Sequence, residues 1–184
     1  MELPKTDYKV SYRNVKYPRL EFKTGILHLI LPPGVNPKKL LRKHHNWIDK
    51  KRNFINKCLK NSARKQLIKR SEIEFNQNVY KLSNSYSKNL RVEINCIYFR
   101  VMKSKWASLS SKRNLTVNKL MRYLPLNLIK YIVFHETAHL IEMKHNEKYW
   151  EIISKEFKNY IDLERELFTY WFIIAKENDL LDSY

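Results

Sequence analysis

The sequence predicts an α+β fold with a β-rich unit at the start, a long basic helix, and a core that joins a mostly antiparallel sheet to a helical C-terminal half. Three observations predict it: strand-like alternation over residues 8 to 31, helical spacing of apolar residues from Pro37, and a second change of period, from short strand-like stretches over 73 to 118 to helix after Pro125. At 184 residues the chain is long enough for one domain with a real core and a small appended unit, and too short for two full-sized domains. The expected division is 1–35 as a β-hairpin or small sheet, 36–70 as a basic amphipathic helix, and 71–184 as the core with C-terminal helices.

Within 8 to 31 the run YKVSYRNVKYPRLEFKTGILHLIL alternates, and the dipeptide TG places a turn between LEFK and ILHLIL. The PPG that follows breaks the strand. From Pro37, residues Leu40, Leu41, Trp47, Ile48, Ile55, Cys58 and Leu59 recur at helical spacing among Lys and Arg, predicting one amphipathic helix to about residue 68. The stretches IEFNQNVYKL, LRVEINCIYFRVM and NLTVN read as three strands separated by Ser- and Asn-rich loops. After Pro125, which suits the first turn of a helix, helices are expected over 125 to about 143, 147 to 158 and 162 to about 177.

Composition narrows the class of protein. No stretch approaches the roughly 20 apolar residues needed to span a bilayer, and the start lacks a basic segment followed by an apolar one, so a soluble protein without membrane association is expected. Cys58 and Cys96 are far apart with no CxxC spacing, which suits a reducing cytoplasm and argues against a disulfide framework or a cysteine-based zinc site. Two glycines leave nothing from which to build a phosphate-cradling loop. Of the net charge of +18, residues 36 to 70 carry +12, with thirteen basic residues against Asp49. Such a segment is either a solvated helix face or a surface that binds DNA or RNA without sequence preference, and Arg42, Lys43, Lys50 and Lys51 are the candidate contacts.

Residues 135 to 145 read HETAHLIEMKH, which places half of the chain's six histidines in eleven residues. In a helix His135 and His139 stand about 40° from eclipsed, so both imidazoles leave one side and reach one ion. Glu136 is turned about 100° away, placed for a water activated by that ion rather than for the ion itself. The chemistry this spacing serves is hydrolysis, with the carboxylate as general base and later as proton donor to the leaving amine. His145 supplies a third ligand once the helix ends, with Asn146 capping the next. Glu164 and Glu166 are kept as alternative third ligands, because a following helix can supply a carboxylate, with His145 preferred.

The run from Arg100 to Trp150 resembles the YgjP-like and WLM-type zinc metallopeptidases, relatives of the SprT-type proteases. Lys105, Trp106, Ser108, Asn118, Pro125, His135, Glu136, His139, His145 and Trp150 fall on the family pattern, while Ala107 stands where the family has Gly and Leu109 where it has Cys. The resemblance implies a zincin-like core, one Zn2+ per chain held by His135, His139 and His145, Glu136 as base, and a protein or peptide substrate. It also implies action near nucleic acid. The strand Asn114, Leu115, Thr116, Val117 and Asn118 is the expected open edge for an extended substrate, with Trp106 beside it. Trp150 and the LFTYWFIIA run read as core, His44 as a packed histidine and His45 as solvated. The competing function is a nucleic-acid-binding module with a mainly structural zinc site, which would have no use for a carboxylate beside the ion.

Overall fold

The structure is a computed structural model that describes residues 8–23, 26–62 and 65–177. It is α+β, with two three-stranded sheets and helices packed around a central one. In the first sheet, β1 (Tyr8–Tyr12), β2 (Arg19–Lys23) and β3 (Ile26–Leu31) lie in the order β1-β3-β2. β2 and β3 pair antiparallel as the alternation predicts, whereas β1 runs parallel to β3; the TG turn lies outside the described residues. Leu27, Leu29 and Leu31 share one face by the two-residue period and are fully buried under Leu41 and Ile48.

The single helix expected over 37 to 68 is two. Asn36 caps α1 (Pro37–Lys43) by accepting from the Lys38 N–H at 2.9 Å, and α2 (His45–Ser62) starts after an irregular His44. His44, His45 and Asn46 are weak helix formers, and the break falls among them. α2 turns Ile55 and Cys58 inward against Phe172 of α6 (Tyr160–Glu177), and Phe54 meets Phe168 at 5.3 Å.

Residues 73 to 82 are helical, not a strand. Ser71 accepts from the Glu74 N–H at 3.1 Å and acids fill the first turn, opening α3 (Glu72–Leu90). Phe75, Val79, Ser83 and Tyr86 form its buried stripe at helical spacing. Ile73, which made the alternation look convincing, is 73% exposed.

The second sheet is mixed rather than mostly antiparallel. β4 (Cys96–Arg100) runs parallel to β6 (Asn114–Asn118), while β5 (Ala107–Leu109) pairs with β6 antiparallel, in the order β4-β6-β5. β6 is therefore the middle strand, with Leu115 and Val117 fully buried, and cannot offer an open edge. A 3-10 turn, Lys119–Tyr123, leads to Pro125, which caps α4 (Leu126–Ala138) instead of entering it. α4 is buried nearly all round, between α3, β5, α6 and α5 (Glu147–Glu156). It ends at Ala138, five residues short of expectation, because the His139 and Ile141 N–H groups turn back to Glu136 and Ala138 in tight closing bonds. Among the described residues no helix is long and apolar enough to cross a membrane.

Candidate active site

The early end of α4 is what builds the site. His135 lies on its last turn and His139 at its C-cap. The chain then doubles back, so that Asn146 caps α5 through the Tyr149 N–H at 3.1 Å and His145 faces α4 again. His135 Nε2 and His145 Nε2 are 3.2 Å apart, and one nitrogen from each of His135, His139 and His145 lies within 4.8 Å of the others. His139 Nδ1 donates to the Glu142 carbonyl at 3.1 Å, which leaves its Nε2 as a lone pair.

Aromatic rings brace the cluster. Tyr149 is fully buried, stacks on His139 at 4.6 Å and donates its hydroxyl to the His135 carbonyl at 3.0 Å. Trp150, expected as core, is half-buried and lies against His145 at 5.6 Å and Tyr160 at 5.0 Å. Burial, with His139 and His145 adding to it, pushes His135 down to about 3, and burial also lowers His139. These two imidazoles are thus neutral at physiological pH, the form that ligates a metal. Convergent imidazole nitrogens that cannot all donate to one another fit a single cation, and three nitrogens with a position left open suit zinc.

Glu136 shares a cleft of about 490 Å³ with the histidines without joining their cluster. Burial raises its carboxyl to about 7, against the opposing pull of the Leu109 N–H and the Lys105 ammonium. The donor is a backbone group, so Leu109 does here what needs no particular side chain. Lys105, Trp106 and the three residues of β5 line the same cleft, and Trp106 is fixed edge-on against Trp171 at 4.9 Å.

The expected substrate strand is elsewhere. Asn114, Leu115, Thr116, Val117 and Asn118 lie in the middle strand, none of them lines the cleft, and the outer strand β5 takes that place. Asn118 is fully buried and spends its side chain on the backbone, accepting from Leu120 and Met102 and donating to Met102 and Lys105. It shapes the loop that delivers Trp106 and β5. Glu166 pairs with Lys65 in a separate groove of about 650 Å³ between α2 and α6, away from the histidines. Glu164 stands behind His135, 3.7 Å from Nδ1, rather than among the converging nitrogens. Arg42, Lys43, Lys50 and Lys51 are all exposed, as is His45, while His44 is half-buried.

An α+β core that closes two histidines and a glutamate of one helix with a third imidazole defines a metal-dependent hydrolase. The family model described as YgjP-like, metallopeptidase domain, matches residues 61–170, and the chain belongs to that family. No curated protein matches it. Among solved structures it is similar to the metallopeptidase zymogen jannalysin of Methanocaldococcus jannaschii, at 28% identity over 48% of this chain and 90% of that one, with a TM-score of 0.43. Another is the zymogen abylysin of Pyrococcus abyssi, at 22% identity over 50% and 93%, with a TM-score of 0.47.

Proposed function

We propose that the chain is a zinc-dependent peptidase in which Glu136 is the general base. His135, His139 and His145 would hold the ion, which when bound polarises a carbonyl and makes water a better acid. Glu136 takes a proton from the attacking water as its oxygen bonds to the peptide carbon, and returns that proton to the nitrogen as the C–N bond breaks, leaving an amine and a carboxylic acid, whose proton passes to the amine at neutral pH to give ammonium and carboxylate. The observation that carries this reading is the half-buried Glu136 carboxyl, anchored by the Leu109 N–H in the same cleft as the three histidines without joining their cluster. β5, lying along the cleft, supports an extended peptide as substrate.

The test is Glu136→Gln, assayed on unfolded protein substrates with zinc measured in parallel. The variant should keep its metal and lose about 10² to 10⁴ in rate. Full activity in Glu136→Gln would sink the assignment.

Non-specific DNA or RNA is proposed as a second partner. Arg42, Lys43, Lys50 and Lys51 face solvent while Ile48, Ile55 and Cys58 take up the inward side of α2, so these charges stand on exposed surface where phosphates could meet them. Three histidines rather than four ligands within reach, among the described residues, favour the peptidase over a module with a structural zinc site.

A further inference from the structure

The three imidazoles are not equally secured. His139 has its Nδ1 on the Glu142 carbonyl, which fixes both the tautomer and the ring. His135 has Nε2 directed at His145, while its Nδ1 on the other side of the ring is buried without a hydrogen-bond partner. Offering Nε2 as a lone pair puts the proton on Nδ1, so this nitrogen becomes a buried donor that needs an acceptor. The acceptor facing it is Glu164 Oε1, reaching across from α6 to 3.7 Å. Tyr131, one turn before His135 and 1% exposed, donates its hydroxyl to that same oxygen at 2.6 Å. A carboxylate oxygen accepts two hydrogen bonds, so the Tyr131 bond leaves room for a second. The Glu164 side chain is 46% exposed and free on its outer side to close the gap to the roughly 2.7–2.9 Å of a charge-assisted bond.

We propose that Glu164 is a positioning residue: it accepts the Nδ1–H of His135, with Tyr131 clamping the carboxylate, and thereby holds His135 in its ligating tautomer. This rests on the reading of the three histidines as a metal site. It also accounts for Glu164 better than ligation does, because the carboxylate stands on the side of the ring away from the other two imidazoles. The arrangement ties α4 to α6, so the site is stiffened by a helix that contributes no ligand.

The experiment uses the full chain with Glu164→Ala, Glu164→Gln and Tyr131→Phe, reading zinc affinity by chelator competition, the visible spectrum of the cobalt-loaded protein, and the ring protons of His135 by nitrogen-edited NMR. Glu164→Ala should bind zinc about 10- to 100-fold more weakly, with Glu164→Gln between it and the parent because its amide oxygen keeps an acceptor without the charge. The Nδ1–H signal of His135 should move or exchange rapidly while that of His139 stays. Tyr131→Phe should give a smaller loss in the same direction. Unchanged affinity together with an unchanged His135 signal in Glu164→Ala would overturn the proposal, and so would cobalt bands that report loss of a ligand. Should His135→Ala itself leave zinc binding intact, the metal-site reading fails instead, which separates the two outcomes.

Discussion

Glu136 is pulled two ways, by burial that favours its neutral form and by the Leu109 N–H and Lys105 that favour its charge, and burial wins. The consequence is visible without any substrate. In metal-free protein its pKa is about 7 folded against 4.5 for an ordinary carboxyl, so its contribution to stability is complete below about pH 4.5 and is lost as pH rises through 7. Glu136→Gln does not titrate there. The stability of that variant relative to the parent should therefore increase between pH 4.5 and 7, by up to about 3 kcal/mol, in denaturant titrations of metal-free protein. A difference that stays flat across the window would mean the carboxyl is not desolvated. At this scale the convergence of His135 and His139, and the turn of Glu136 away from them, were legible in the sequence, because the geometry of a helix alone places residues one and four apart. The atoms that orient them were not. One is the backbone carbonyl of Glu142 and the other a carboxylate 29 positions along, on another helix.

Asn118 shows how the reading of an element decides the reading of a residue. Taken as an edge residue it should touch substrate; in the middle strand it holds Leu120, Met102 and Lys105 together through four hydrogen bonds. Asn118→Ala should therefore cost about 3 kcal/mol in urea unfolding, since four hydrogen bonds to the backbone of Met102, Lys105 and Leu120 are lost at once. A loss of substrate affinity at unchanged stability would restore the edge reading. The sheet order was hidden because β4 pairs in parallel with β6, and such a pairing leaves no local turn signal. α3 was hidden by the chance alternation of Ile73 and Phe75, although Ser71 with Glu74 three residues on was a capping signal present in the sequence. The helices after Pro125 were legible because their apolar period is sustained, but not the end of α4, which depends on closing bonds rather than on composition.

For the whole molecule the charge was plain in the sequence and its presentation was not. Of the excess of +12 over residues 36 to 70, +8 stands on α1 and α2, nine basic residues against Asp49, and α2 packs its apolar side on α6 and leaves Lys50 and Lys51 outward. If about five or six phosphates are met there, log K against log salt should fall with a slope near −5 on duplex and less steeply on single strands. Reversing Arg42, Lys43, Lys50 and Lys51 to Glu should abolish this binding and leave zinc content unchanged, and no binding by the parent at low salt in an anisotropy titration would return these helices to a solvated face. The peptidase reading depends on the histidine cluster, where two helices and a tight turn bring three imidazoles together. The most direct measurement is an anomalous difference map at the zinc edge from crystals of the full chain grown with zinc. One peak at about 2.0–2.1 Å from a nitrogen of each of His135, His139 and His145, with no fourth protein ligand, is the expected result. An ion bound elsewhere, or one closed off by a fourth protein ligand, would contradict the account.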